Sequence, residues 1–157
     1  MSKVTPATRA LTATDVSFTV HTYNYDSEAE SIGLQAASAL GENPARVLKT
    51  LMTVVDGKPV CVVVPSDREV SMKKLAASVD GKSAQMMKPN EAERLTGFKV
   101  GGISPFGQRR VARTVIEQSA LAHDHVFVNG GQRGLQVKLS PRDAQEVLNA
   151  VVADVVA

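Results

Sequence analysis

Two apolar runs, Leu48 to Val55 and Pro59 to Val64, are separated by little more than Asp56-Gly57. An Asp-Gly pair supplies both positive-φ positions of a tight hairpin turn, so the runs read as neighbouring antiparallel strands. That places a sheet at the middle of the chain, on which the other elements have to pack. Cys61 falls inside the Val-rich return strand and reads as a small buried hydrophobe, not a nucleophile.

The remaining punctuation supplies helices and further strands. Thr5-Pro6 is a cap with proline at the first helical position, opening a helix to about Ala13 with Ala7, Ala10 and Leu11 inward. Ser17 to Tyr23 alternates as a strand, with Phe18 and Val20 on one face and Thr19, His21 and Tyr23 on the other. Ser31 to Leu40 is a helix stopped by Gly41, and Asn43-Pro44 starts a short turn. Ser71 caps a helix to about Val79, and Ser83 to Met87 is a short strand. Asn90-Glu91-Ala92-Glu93 has the form of a capping box, for a helix ending at Gly97. A strand is expected within Arg109 to Glu117, and two more at Val126 to Asn129 and Leu135 to Leu139. Ser140-Pro141 begins a last helix, with Ala144, Val147, Leu148, Val151, Val152 and Val155 at helical spacing. The expected fold is α+β, a mixed sheet or a partly closed, β-barrel-like sheet with flanking helices, in one domain over 1–157.

Composition excludes several classes. At 157 residues, 43% hydrophobic and 22% charged, the chain suits one globular core. No apolar run approaches the roughly 20 residues of a membrane helix. Met1 to Ala10 lacks the apolar stretch of an export signal, and a single cysteine fits a reducing cytoplasm. A net charge of +2 is too small for bulk nucleic-acid attraction, but Lys73-Lys74, Arg109-Arg110, Arg113 and Arg133 could touch a few phosphates. With no tryptophan, two tyrosines and four phenylalanines, stacking along a single strand is disfavoured, so an RNA partner would be met at its end. His123-x-His125 has metal-ligand spacing on a strand but no third ligand beside it, which favours a surface loop. No metal or cofactor is expected.

Two glycine clusters stand apart from this scaffold. Val100-Gly101-Gly102-Ile103-Ser104-Pro105-Phe106-Gly107-Gln108 is neither helix nor strand interior. It is either a tight turn or a loop whose bare N–H groups hold a carbonyl, hydroxyl or phosphate oxygen. Asn129-Gly130-Gly131-Gln132-Arg133-Gly134 joins two strands, and a hairpin does not need the arginine. Together the clusters suggest one pocket for an anionic or carbonyl-bearing ligand. Lys49, among Val47, Leu48, Leu51 and Met52, is either a solvated cation snorkelling over apolar surface or a cation projecting into that pocket. No Ser-His-Asp or Cys-His set and no paired carboxylates accompany these residues.

The chain resembles the YbaK/EbsC family of freestanding aminoacyl-tRNA deacylases, relatives of the editing domain of bacterial prolyl-tRNA synthetases. The resemblance is carried by His21-Thr22-Tyr23, Val47 to Leu51, Val100 to Arg110 and Gly130 to Leu135, in the family's order. It implies release of cysteine mischarged on proline tRNA, with the substrate's own thiol attacking the ester carbonyl. It implies Lys49, Gly101 and Gly102 as the catalytic groups, and Tyr23, Ile32, Thr50, Ile103, Ser104 and Pro105 around the substrate. Asn129, Gly130, Gly131 and Arg133 would close the rim. The implied partners are the tRNA 3′ end and prolyl-tRNA synthetase. Ile32 stands where many relatives carry an aromatic residue, and Asn129, Gln132 and Gln136 stand for serine, lysine and an acid. Alanine or serine is the alternative amino acid, and a non-catalytic module binding a tRNA end or a synthetase is the alternative role.

Overall fold

The computed structural model describes residues 3–28 and 31–157, the side chains of Ile32 and Gly33 excepted. The hairpin forms as its turn dictates: Asp56 and Gly57 take φ of 49° and 81°, joining β2 (Leu48–Val55) to β3 (Lys58–Pro65). The Asp56 carboxylate then accepts hydrogen bonds from the Lys82 and Ser83 amides, both at 3.0 Å. That anchors β4 (Ala84–Met86) antiparallel along the end of β2.

β3 is the central strand, and its uninterrupted apolar run has a physical reason. Cys61 and Val63 face one core with Leu48, Met52 and Ile116; Val60, Val62 and Val64 face a second with Leu75, Ala76 and Val155. A strand buried on both faces has no polar side to alternate with. Each fully buried valine contributes about 1.5–3 kcal/mol, so Val62→Asp at this position would be expected to unfold the sheet. Leu75 and Ala76 come from α3 (Met72–Ser78), capped by Ser71. On its other edge β3 pairs in parallel with β5 (Arg113–Glu117).

Three corrections to the sequence reading follow. The last helix, α5 (Pro141–Leu148), stops at Asn149 in the left-handed region (φ 48°), and Val151–Ala153 becomes β8, parallel to β5. Valines at helical spacing are also β-branched, and strand pairing is what they take up here. The buried Glu117 carboxylate holds the tail, accepting from the Val155 amide at 3.1 Å and the Ser119 amide at 2.8 Å. Second, α4 runs Pro89–Thr96 with Lys88 at its N-cap, so Asn90 lies inside the helix and no capping box forms. Proline at the first helical position outranks the box, and Glu93 instead accepts from the Val100 amide at 2.9 Å.

Third, the described strands form two sheets, not one partly closed barrel. Five strands order as β4-β2-β3-β5-β8. Three others, β1 (Thr19–Thr22), β7 (Leu135–Leu139) and β6 (Val126–Asn129), order as β1-β7-β6, antiparallel throughout. A single parallel bridge, Val47 to Phe127, spans the two. α1 (Pro6–Thr12) buries Ala7 and Leu11 in the first core, and α2 (Ile32–Leu40) lays Ala36 and Ala37 over Phe127. No helix of the described residues is long and apolar enough to cross a membrane.

Candidate active site

The join between the sheets leaves an opening. On one edge β2 pairs with β4 only from Thr53 to Val55, and it meets the other sheet only at Val47. Leu48 to Leu51 therefore have no strand neighbour on that edge among the described residues, and a cavity of about 350 Å³ opens there. Its walls are largely apolar, with Leu48, Leu51 and Met52 from β2, Met86 and Met87 facing them, and Ala92 from α4. The polar groups are few: Tyr23, Ser31, Lys49, Thr50, Asn129 and Gln136, together with the loop residues Gly101 and Ile103. Few convergent polar groups in an apolar cleft is the ordinary make-up of a small-ligand site.

Lys49 keeps 21% of its side chain exposed, and its Nζ lies 3.6 Å from a carboxylate oxygen of Glu69. Glu69 is 86% exposed, so the pair is worth little and the ammonium is available to an anionic ligand. Burial pushes the Tyr23 phenol above its usual range, although a hydrogen bond from Gln136 pulls the other way, so Tyr23 is a neutral hydroxyl at neutral pH. Gln136 is 4% exposed, and its Oε1 has no hydrogen-bond partner among the described residues; nor has Thr50 Oγ1. The two residues line the cavity, but these oxygens lie buried and unpartnered within its wall, where such a group is costly.

The two glycine loops meet at this cavity with different parts. In the first, Gly101 takes φ 89°, and neither its N–H nor that of Ile103 has an acceptor among the described residues. The Gly102 N–H is spent on the Lys99 carbonyl at 2.8 Å, and Gly102 is buried behind the lining. Ser104 and Pro105 are buried too: Ser104 Oγ accepts from the Phe106 amide at 3.1 Å, and Pro105 borders a small apolar void beside Phe106 and Leu48. In the second loop Gly130 donates to the Leu135 carbonyl at 2.9 Å and Gly131 to Asn129 Oδ1 at 2.7 Å. Neither glycine lines the cavity.

Asn129 then ties the loops together, its Nδ2 donating to the Gly101 carbonyl at 3.2 Å. Arg133 adds a second tie, Nε to the Val100 carbonyl at 2.9 Å, with its guanidinium 5.4 Å from the Tyr25 ring centre. α1 braces both loops from behind. Thr5 Oγ1 donates to the Gly130 carbonyl at 2.5 Å, and Gly107 lies against Pro6 so closely that a Cβ there would strike its carbonyl.

Of the residues expected at the site, Tyr23, Lys49, Thr50, Gly101, Ile103 and Asn129 line the cavity. Gly102, Ser104, Pro105, Gly130, Gly131 and Arg133 stand behind it, and the side chain of Ile32 lies outside the described residues. Sequence reasoning did not place Met86, Met87, Pro89 and Ala92 at the site, although the Met-Met pair before a proline is visible as an oddity. Gln136 had a usable signal, a polar residue on the non-core face of an alternating strand. Arg109, Arg110 and Arg113 are exposed and line no part of the cavity. Cys61 is fully buried in the core, which pushes its thiol up to about 12. No cluster of three His, Cys, Asp or Glu side chains able to hold a metal occurs among the described residues.

An α+β scaffold with a cavity between two sheets, a cation and a glycine loop with spare amides has the make-up of a ligand-binding domain. Residues 26–147 match the family model of the aminoacyl-tRNA editing domain, and the chain belongs to that family. It is 33% identical over 128 residues to EbsC of Enterococcus faecalis, assigned as a Cys-tRNA(Pro)/Cys-tRNA(Cys) deacylase, covering 81% of this chain and 76% of that one. It is 31% identical over 99 residues to the proline–tRNA ligase of Nitratidesulfovibrio vulgaris, covering 63% of this chain and 17% of the ligase. A solved structure assigned as a trans-editing enzyme for prolyl-tRNA synthetase superposes with a TM-score of 0.80 at 22% identity, over 89% of this chain and 87% of that one, which establishes the shared fold.

Proposed function

We propose that the protein deacylates mischarged aminoacyl-tRNA in the cytoplasm, with cysteine on proline tRNA as its substrate, and that the substrate's thiol is the nucleophile. One observation carries the reading: among the described residues lining the cavity there is no histidine, cysteine, aspartate or glutamate. A pocket with no base and no strong nucleophile can still assist an ester that brings its own. In the proposed step the cysteinyl sulfur attacks its own carbonyl carbon, the ester C–O bond breaks, and the ribose oxygen leaves with the thiol proton. The product is a cyclic thioester that water opens later. Holding sulfur and carbonyl in one cleft supplies the proximity that replaces a base. Lys49 favours the thiolate and offsets charge on the phosphate or the developing oxyanion. The unspent N–H groups of Gly101 and Ile103 are the donors offered to the carbonyl oxygen. This keeps Gly101 and replaces Gly102 by Ile103 as the second donor, because the Gly102 amide already has an acceptor.

Tyr23, Thr50 and Gln136 supply neutral hydrogen bonds to the amino acid and the terminal ribose. About 350 Å³ is more than a cysteinyl side chain requires, and the apolar methionine wall suits the terminal adenosine beside it. The likeness to a ligase domain and to a trans-editing enzyme supports prolyl-tRNA synthetase as the partner that selects the tRNA.

Single-turnover deacylation tests the scheme. Cysteine is expected to leave proline tRNA rapidly, and serine, lacking the thiol, at least tenfold more slowly. Lys49→Ala should lower the cysteine rate by on the order of 100-fold, the usual loss for one oxyanion-stabilising group, with the melting temperature held. Equally rapid serine release would replace the thiol by water. Binding without release by the wild type would make the chain a non-catalytic module.

A further inference from the structure

The face of the three-stranded sheet turned away from the core carries charge that the cavity does not use. Directly opposed residues of neighbouring strands share a face. The register therefore sets His21, Gln136 and Asn129 in one row across β1, β7 and β6, and Thr19, Lys138 and Phe127 in the next. Gln136 and Asn129 belong to the cavity wall. One row further on, the Phe127 ring is buried under α2, and basic side chains surround it. Lys138 Nζ lies 5.8 Å from the ring centre, and the His21 and His125 rings meet it edge-on at 5.3 and 6.1 Å. Arg46 Nη1 sits 3.3 Å from His125 Nε2. All four basic side chains are partly exposed. Among the described residues the one carboxylate paired with any of them is Glu42, 4.0 Å from Arg46.

We propose that this strip is the track for the RNA backbone leading out of the cavity. The phosphates preceding the terminal adenosine would run from Asn129 and Gln136 past His21 and Lys138 to His125 and Arg46. That path covers roughly 13 Å at the rise of a strand. It rests on the deacylase reading, which puts the aminoacyl ester in the cavity. The chemistry recognised is phosphate and not base: Phe127 is covered, so it offers no stacking platform. The strip is continuous with the cavity wall, whereas Arg109, Arg110 and Arg113 are not.

Retention of uncharged tRNA on filters, measured across a salt series, tests the track without requiring turnover. Lys138→Ala with Arg46→Ala should weaken binding about tenfold. It should also lower the slope of log affinity against log salt by about 1–2, as for two lost phosphate contacts. Lys138→Ala alone should do about half of this, and Lys138→Arg should restore it, which a folding defect would not allow. Arg110→Ala with Arg113→Ala is the control on the other basic cluster. Unchanged affinity and slope in the Lys138/Arg46 variant, or a loss seen only in the Arg110/Arg113 variant, would overturn the proposal. Turnover adds an independent arm: the ratio of deacylation rates on tRNA and on 3′-aminoacyl adenosine should fall about tenfold, and an unaltered ratio would also overturn it. A wild type that binds tRNA through the strip yet cleaves neither ester would sink the deacylase reading and leave the track standing.

Discussion

The two loops share a Gly-Gly pair in sequence and are opposite in the bonding of their amides. In the loop at Gly101-Gly102 the amides of Gly101 and Ile103, both at the cavity, donate to nothing among the described residues. In the loop at Gly130-Gly131 both glycine amides are satisfied within the turn. The first loop retains donors for a ligand, and the second supports it through Asn129 and Arg133. Glycine is needed in both for the same two reasons. Gly101 and Gly131 take left-handed φ of 89° and 92°, whereas a Cβ on Gly102 would collide with the Arg133 backbone and one on Gly130 with the buried Leu135 side chain. A glycine pair thus says that backbone comes close to something; the accounting of N–H groups says whether that something is a ligand or the protein.

The contrast breaks most completely at Gly102. An added Cβ would sit 2.7 Å from the Arg133 nitrogen and 2.9 Å from the Gln132 carbonyl carbon, backbone atoms that cannot rotate away. Gly102→Ala should wedge the loops apart, costing about 1–3 kcal/mol in chemical denaturation and nearly all single-turnover activity. Gly101→Ala comes next. It meets Tyr25 Oη at 2.5 Å, the movable end of a side chain, but must hold φ 89°. That strain costs about 1–2 kcal/mol, and a rate loss of about 30-fold is expected because a donor amide is re-aimed. Asn129→Asp sharpens the comparison further. It keeps the acceptor for the Gly131 amide but sets a carboxylate oxygen against the Gly101 carbonyl, so activity should fall about tenfold while stability falls by only about 1 kcal/mol. Arg133→Ala should matter least. Its hydrogen bond is exposed, and a change of about 0.5 kcal/mol in stability with less than threefold in rate is expected. A larger effect there than at Asn129 would reverse the assignment of which residue is the principal tie.

Local chemistry was legible wherever one residue type has one solution. Asp56-Gly57 gave the hairpin, and Thr5, Asn43, Ser71 and Ser140 each cap the turn or helix expected of them. Legibility ended where two solutions share a pattern. Val151, Val152 and Val155 fit a helical stripe, but Asn149 turns the chain and β5 offers an edge, which only the folded sheet provides. Asn90 and Glu93 fit a capping box, but Pro89 starts the helix first. A pocket could be inferred, but not its place or its walls, because it is the gap left when two sheets meet at one bridge. Lys49 and Gly101 could be named as its members, whereas the unpartnered oxygens of Gln136 and Thr50 and the methionine wall depend on neighbours distant in the chain.

The brace supplied by α1 has a practical consequence. This helix lies outside residues 26–147, the part of the chain that defines the family, yet Thr5 and Pro6 touch the backs of both glycine loops. A fusion, a cleavage or a modification within the first dozen residues would therefore register as altered turnover, without any group in the cleft having been changed. α1 is a handle on the cleft from behind the two loops.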